Sequence, residues 1–180
     1  MSGFGGWSMT EICFNYIREI LPSGKTILEL GSGWTTGELA KHYKMYSIES
    51  ESNWIERYDS IYIHAPIKIY GTESWWDDKP FKAPEDISHE DGTDKQKGWF
   101  NPEIVKNNLP EHYDLIIVDG PNGIYGRGGF YKYLDWFKTD VPIVIDDVNR
   151  KPEGELIKLV SKKLGREYKI LSDNITGVIL

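Results

Sequence analysis

The chain has 180 residues, of which 39% are hydrophobic and 27% charged, and its 28 acidic and 21 basic side chains give a formal net charge of −7. This composition is typical of a globular protein and argues against a general nucleic-acid binder or a polybasic membrane-surface protein, which carry basic faces. The single cysteine, Cys13, excludes an intrachain disulfide and a cysteine-rich zinc site. With no recognisable signal peptide or membrane span, we expect a reducing, cytoplasmic location.

Helices and strands are predicted to alternate through the first 70 residues. The predicted elements are a helix at 8–21, a strand at 25–30, a glycine-bearing turn at 31–37, a helix at 38–43, a strand at 45–49, a helix at 52–58 and a strand at 61–70. Pro66 breaks the last of these strands, as is usual for an edge strand.

Alternation resumes after an irregular insertion at about 71–100, which is rich in acidic and aromatic residues. The later elements are a helix at 101–109, a strand at 114–118, a helix at 129–137, a strand at 141–145, a helix at 153–164 and a hairpin of strands at 167–171 and 175–180. This order predicts an α/β fold, a doubly wound, mostly parallel seven-stranded sheet whose C-terminal hairpin adds an antiparallel strand. We expect one domain over 1–180.

Three predicted strands end in residues suited to a nucleotide. The Glu29-Leu30-Gly31-Ser32-Gly33 turn lets the backbone approach a ligand at a helix N-terminus. Glu49 ends the next strand, where a carboxylate accepts hydrogen bonds from both ribose hydroxyls, and Asp119 ends the strand at 114–118. Thr36 replaces the third glycine of the dinucleotide fingerprint, and Glu29 suits a ligand with an ammonium group better than a pyrophosphate, so a nicotinamide oxidoreductase is disfavoured.

These motifs, Glu29 to Gly33, Glu49 and Asp114 to Gly120, resemble the class I S-adenosylmethionine-dependent methyltransferases, whose fold is Rossmann-like. The resemblance covers roughly the whole chain, although Thr35 stands where the family commonly has a glycine. The resemblance implies these cofactor contacts: Glu29, Gly31, Ser32 and Gly33 at the methionine part, Glu49 and Ser50 at the ribose, Asp119 near the methionine, and Trp99 or a neighbour at the adenine.

Three aspartates follow two strands that we expect to be adjacent, Asp119 after one and Asp146 and Asp147 after the other. Three close carboxylates repel one another unless they are protonated or neutralised, and an all-oxygen ligand set suits Mg²⁺ or Mn²⁺. In the alternative interpretation, Asp119 binds only the cofactor, and Asp146 and Asp147 cap a loop and pair with Arg127 or Arg150.

The placement of these acids is similar to that in metal-dependent O-methyltransferases of the catechol, antibiotic-sugar and glucuronoxylan types. The resemblance implies that the metal binds two vicinal oxygens of the substrate and lowers the pKa of the reacting hydroxyl. The candidate bases are Asp119, Asp147 and His64. Asn122 stands where the catechol type has a lysine, and an amide cannot take the proton.

Four residues are candidate substrate ligands. Arg127 and Asn149 are predicted on loops at the rim of the sheet, and Trp75 and Trp76 in the insertion offer flat rings that stack on sugars. In the alternative interpretation, Arg127 is a surface residue and the rings pack the insertion onto the sheet.

We therefore expect a metal-assisted O-methyltransferase acting on a sugar, glycan or similar polyhydroxy compound. Its partners would be that substrate and other glycan-synthesis domains, fused or separate, but neither nucleic acid nor membrane. The alternatives are an inactive cofactor-binding module of a larger polypeptide and a methyltransferase for another small molecule.

Overall fold

The structure, a computed structural model, describes Phe4, residues 8–69 and residues 98–180. The helices are α1 (Glu11–Ile20), α2 (Trp34–Ala40), α3 (Pro102–Asn108), α4 (Gly129–Lys132) and α5 (Lys151–Leu164). The strands are β1 (Thr26–Leu30), β2 (Lys44–Glu49), β3 (Ile61–His64), β4 (Ile67–Ile69), β5 (Gly98–Phe100), β6 (Leu115–Val118), β7 (Ile143–Ile145), β8 (Tyr168–Ile170) and β9 (Gly177–Ile179).

Seven strands form one sheet in the order β3-β2-β1-β6-β7-β9-β8. The first five strands in this order, β3, β2, β1, β6 and β7, are parallel to one another. Strand β9 runs antiparallel to both β7 and β8. The predicted doubly wound sheet with its antiparallel hairpin is thus confirmed. The strand order reverses between β1 and β6, which is where parallel sheets of this kind bind ligands at their carboxyl edge.

Alternating side chains of the central strands pack into two hydrophobic cores, one on each face of the sheet. Leu28 and Val118 lie in one core with Leu156 of α5, and Ile27 lies in the other with Ile17 of α1. Side chains alternate with a period of two along a strand, so each strand contributes to both cores and is buried on both faces. Helices therefore cover the sheet on both sides.

Two predicted helices in the first half are placed wrongly. Residues 52–58 form only a short 3₁₀ turn, Ser52–Trp54, and Glu56 has a positive φ of 59°. Helix α2 begins at Trp34 rather than at residue 38, so Gly37 lies inside it. A methyl group at Gly37 would lie 2.6 Å from the Tyr58 ring, so this glycine serves helix packing rather than a turn. Later in the chain, the helix predicted at 129–137 is α4 followed by a separate 3₁₀ turn, Leu134–Trp136.

The strand predicted at 61–70 is two strands that belong to different sheets. β3 forms the edge of the main sheet, and after Pro66 the chain continues as β4, which pairs antiparallel with β5. β5 lies in the region predicted as an irregular insertion, so that prediction is wrong for Gly98–Phe100. Among the described residues, no helix is long and apolar enough to cross a membrane.

Candidate functional site

The turn between β1 and α2 lies against the turn that follows β6. Gly31 has a φ of +91°, and a methyl group there would lie 2.9 Å from the backbone nitrogen of Gly120. A methyl group at Gly120 would in turn lie 2.7 Å from the Gly31 Cα atom. Glycine is required at this contact because two backbones touch and one of them adopts a conformation that side chains disfavour. The contact brings the predicted cofactor turn next to Asp119.

Glu29 lies beneath this turn in a buried hydrogen-bond network. Its carboxyl group accepts hydrogen bonds from the Thr36 hydroxyl at 2.9 Å and the Ser47 hydroxyl at 2.8 Å. The Thr36 oxygen also accepts a hydrogen bond from the Gly33 nitrogen, so Glu29 is coupled to the start of α2. Burial raises the pKa of Glu29 to about 8, against the opposing effect of the two hydroxyls. Glu29 therefore stabilises the conformation of the turn through Thr36.

Glu49 ends β2 with its carboxylate fixed by backbone donors. Oε2 accepts a hydrogen bond from the Ser32 nitrogen at 2.8 Å, and Oε1 accepts from the nitrogens of Ser50 at 2.6 Å and Glu51 at 2.8 Å. The carboxylate is thus held beside the glycine turn, where the sequence predicts a ribose ligand. The side chains of Ser32 and Ser50 lie in the same part of the edge.

Asp119, Asp146 and Asp147, here called the acid cluster, lie together as predicted. One carboxylate oxygen of each lies within 4.8 Å of the others. The Asp119 nitrogen donates to Leu30 and the Asp146 nitrogen to Val118, so both residues extend the parallel hydrogen-bond ladders by one step. Asp147 has a φ of +63°, in the left-handed region of backbone conformation.

Burial makes the acid cluster electrostatically unfavourable when it is fully ionised. Burial, Asp146 and Asp147 raise the pKa of Asp119 well above its ordinary value, and Arg127 opposes them. Burial and Asp147 raise the pKa of Asp146 to about 6. Within the described part of the chain, the buried Asp146 Oδ1 atom has no hydrogen-bond partner. Each of these observations fits a site whose negative charge exceeds its positive charge.

Arg127 lies inside this site rather than on its rim. The side chain is only 4% exposed, and Nη2 donates to Asp147 Oδ2 at 2.7 Å and to Asp119 Oδ1 at 3.1 Å. The predicted position of Arg127 at the rim is therefore wrong, because its guanidinium is covered and engaged with carboxylates. The ion pair of the alternative interpretation is present, and Arg150, which is 45% exposed, also pairs with Asp147.

The acid cluster nevertheless fits a divalent cation. Glu153 is only 2% exposed, and the charges of Arg127 and Arg150 both act to lower its pKa. The site therefore combines four carboxylates with two guanidinium groups. When all of these groups are ionised, two negative charges remain. The arginine contacts involve one oxygen each of Asp119 and Asp147 and no oxygen of the Asp146 carboxylate. The cluster thus offers further hard oxygen donors, which suit Mg²⁺ or Mn²⁺.

His64 and Trp99 lie away from the positions that their predicted roles require. His64 pairs with Glu49 in the register of β2 and β3, three strands from Asp119, which is about 14 Å across the sheet. His64 is therefore not a base for chemistry at the acid cluster. Trp99 is fully buried, stacked on Tyr133 at 5.2 Å and covered by Gly129, so it offers no free face to adenine.

The roles of the other predicted substrate ligands, Asn149, Trp75 and Trp76, stay predictions. Asn149 is exposed two residues beyond Asp147, at the rim where it was predicted. Trp75 and Trp76 lie outside the described residues. Asn122, at the position of the catechol-type lysine, accepts a hydrogen bond from the Ile124 nitrogen at 3.1 Å and so shapes the loop after Asp119.

Sequence reasoning missed the residues that support the site from below. Ser47 is fully buried within an otherwise apolar stretch of β2, and this polar interruption was the signal for a hydrogen-bond partner. Glu153 was assigned only to an amphipathic helix, and nothing in the helical pattern singles it out. Its proximity to Arg127 depends on how α5 packs against the sheet.

No family model matches the sequence, and neither does any curated protein. Precorrin-6y C5,15-methyltransferase from Geobacter metallireducens GS-15 superposes with a TM-score of 0.52 at 10% identity, over 99% of this chain and 90% of that protein. The MycE methyltransferase of the mycinamycin biosynthetic pathway, solved with Mg and SAH, gives a TM-score of 0.46 at 13% identity, over 92% of this chain and 43% of that protein. The similarity to the Geobacter protein supports the fold described above.

Proposed function

We propose that the chain is an S-adenosylmethionine-dependent O-methyltransferase that is assisted by a divalent metal ion. The observation that carries the proposal is the meeting of three features at one carboxyl edge of the sheet. The glycine turn after β1, the Glu49 carboxylate after β2 and the acid cluster after β6 and β7 occupy consecutive strand ends. Such an edge is the usual ligand site of doubly wound sheets.

The residues around the glycine turn would hold the cofactor. Gly31, Ser32 and Gly33 expose backbone at the start of α2, and Glu49 stands ready as a hydroxyl acceptor because backbone donors already fix its orientation. Glu29 keeps the turn in place from below. When bound, S-adenosylmethionine supplies an activated methyl group for in-line displacement.

The acid cluster would hold the metal and orient the acceptor. When bound, Mg²⁺ or Mn²⁺ supplies Lewis acidity that lowers the pKa of the acceptor hydroxyl. Asp119 and Asp147 are the remaining candidates for the base, because His64 lies at the other end of the edge. The chain's main contribution is to position the reacting groups, since holding them correctly removes much of the barrier.

A sugar, glycan or similar polyhydroxy compound is the acceptor class that we propose. The support comes from the sequence of the insertion, where Trp75 and Trp76 accompany several carboxylates. Vicinal hydroxyls also match a metal with open positions between fixed carboxylates. Neighbouring glycan-synthesis domains remain the partners that we expect.

A second candidate, a cofactor-binding module without transfer activity, is favoured by one observation. Arg127 already neutralises part of the charge on Asp119 and Asp147, as an arginine would do in a site that had lost its metal. The two candidates agree on cofactor binding and differ on the metal.

Isothermal titration with S-adenosylhomocysteine tests the cofactor site. We expect binding by the intact chain and at least a tenfold rise in Kd for Glu49→Gln, because hydrogen bonds to a charged acceptor are lost, at about 1.5–3 kcal/mol. Glu51→Gln is the matched control, since its side chain is exposed and only its backbone nitrogen contacts Glu49. Absence of binding by the intact chain would remove the whole proposal.

Methyl transfer from labelled cofactor to a panel of sugars and oligosaccharides separates the two candidates. We expect transfer with Mn²⁺ and its loss with EDTA. Transfer that persists in EDTA would refute only the metal's role. Cofactor binding with no transfer to any acceptor would favour the inactive module.

A further inference from the structure

Arg127 is a buried cation that lies among the carboxylates of the acid cluster. It lies between Gly126 and Gly128, at the end of the loop that begins at Asp119, and only 4% of its side chain is exposed. A buried guanidinium is unfavourable unless nearby negative groups compensate its charge, so the position of Arg127 requires such partners.

The partners of Arg127 are the three residues of the acid cluster. Nη1 donates to the main-chain oxygen of Asp146 at 2.7 Å, and Nη2 donates to Asp119 Oδ1 and Asp147 Oδ2. One planar group therefore links the ends of β6 and β7. Its fork fixes directions as well as supplying charge, which a lysine ammonium cannot do.

Arg127 also bears on the backbone of the cluster. Asp147 has a φ of +63°, a conformation that residues with side chains seldom adopt without support. The Asp147 carboxylate is held on one oxygen by Arg127 at 2.7 Å and by Arg150 at 2.9 Å. These contacts occupy one oxygen each of Asp119 and Asp147 and do not involve the second oxygen of either.

We propose that Arg127 is a positioning residue that holds the acid cluster assembled before a cation binds. It keeps the three carboxylates together in the metal-free protein and leaves the oxygens that it does not bind for one divalent ion. The cation in this inference rests on the proposed function, whereas the action of Arg127 on the carboxylates does not.

Thermal unfolding in EDTA tests the inference on the intact chain. Arg127→Gln is expected to lower Tm by roughly 10 °C, since removing one partner of a buried ion pair leaves uncompensated carboxylates. Arg150→Gln is the matched control, because it removes a guanidinium from the same Asp147 oxygen at an exposed position, and its loss should stay below about 3 °C. Arg127→Lys should recover less than half of the loss.

A mutant cycle with Asp119→Asn and Asp147→Asn separates charge from packing. In the double-asparagine background, Arg127→Gln should cost less than half of what it costs in the wild type, because the charges that need it have gone. An undiminished loss would mean that Arg127 acts through packing and would overturn the inference. If Arg127→Gln alone fails to fold, the triple variant should fold, and its failure would also overturn the inference.

The rise in Tm on addition of Mn²⁺ separates this role from a purely structural one. If Arg127 only supported packing, its replacement would not change the response to Mn²⁺. Saturating Mn²⁺ should raise the Tm of Arg127→Gln more than that of the wild type, because the cation replaces the missing positive charge. An equal rise in both proteins would overturn the inference. A wild type that does not respond to Mn²⁺ would instead refute the metal in the proposed function, while the cycle in EDTA still tests Arg127.

Discussion

At the scale of single residues, Glu29 shows how the chain uses a buried acid without a counter-charge. Its carboxyl group accepts hydrogen bonds from the hydroxyls of Thr36 and Ser47. The charged group that acts on its pKa is another acid, Glu49, which raises it. Burial without a cation favours the neutral acid, which is why the pKa rises to about 8. The folded state therefore holds a proton at Glu29 that the unfolded chain has lost by neutral pH.

This proton makes stability depend on pH in a predictable direction. Between about pH 4.5 and 8 only the folded chain keeps the Glu29 proton, so the free energy of unfolding falls as pH rises through that window. A shift of this size corresponds to a fall on the order of 5 kcal/mol. Glu29→Gln, which stays neutral, should remove most of this fall in urea denaturation series at pH 5, 6, 7 and 8.

The control for Glu29→Gln is Glu155→Gln, whose side chain is 51% exposed and pairs with Lys158 on the surface of α5. It should keep the slope of the wild type. Because Asp119 and Asp146 also have raised pKa values, only the difference between the wild type and the variant reports on Glu29. An unchanged slope in Glu29→Gln would contradict the buried neutral acid.

At the scale of elements, the site is built where two strand-end turns touch. Gly31 after β1 and Gly120 after β6 meet backbone to backbone. No atom of a larger residue fits between them, so the spacing of the cofactor turn and Asp119 is set by two glycines. The contact couples the order of the turn to the order of the acid cluster.

Gly31→Ala is expected to destabilise the fold by about 2–4 kcal/mol in urea denaturation, combining overpacking against Gly120 with an unfavourable positive φ. Gly24→Ala isolates the second contribution, because Gly24 has a φ of +84° with no atom within 4 Å of the added methyl group, and it should cost about 1 kcal/mol. S-adenosylhomocysteine binding should weaken only in Gly31→Ala. Equal losses of stability in the two variants would contradict the close contact.

At this scale, an element could be predicted where its residue pattern depends on its own burial, and not where it depends on a contact from another segment. Buried apolar runs such as Leu115–Val118 reveal strands because every side chain is covered, and the residue after each run then falls on the ligand edge. The helix expected at 52–58 failed because its polar sequence fits a helix as well as a loop. The early start of α2 was missed because Gly37 looked like a turn residue, whereas its role depends on Tyr58 from another segment.

At the scale of the whole molecule, the sheet order could be predicted because alternating elements with right-handed crossovers leave few arrangements. That order alone places Asp119 beside Asp146 and Asp147. It does not say which charges fill the space between them. Arg127 was expected on the rim because it follows a glycine-rich loop, and only the packing of that loop over the strand ends shows that it is buried.

The same topology predicts that the described part of the chain folds without residues 70–97. Its flanking residues belong to β4 and β5, and Ile69 pairs directly with Gly98, so the two ends are already held together. Replacing these 28 residues with about six glycine and serine residues should leave the chain folded and more stable by about 1 kcal/mol, since a shorter loop costs less entropy to close. Affinity for S-adenosylhomocysteine should be unchanged, while transfer to sugars is lost if Trp75 and Trp76 bind the acceptor.

Gly98→Ala in the full-length chain supplies the contrast to this replacement. A methyl group there would lie 2.8 Å from Ile67 Cγ2 and 3.1 Å from the Lys68 carbonyl oxygen, so it should disturb the pairing of β4 with β5. We therefore expect one added methyl group at the base of the segment to lower Tm, whereas removal of the whole segment does not. Unfolding of the shortened chain, with Gly98→Ala left stable, would mean that residues 70–97 rather than the β4–β5 pair hold this part of the molecule together.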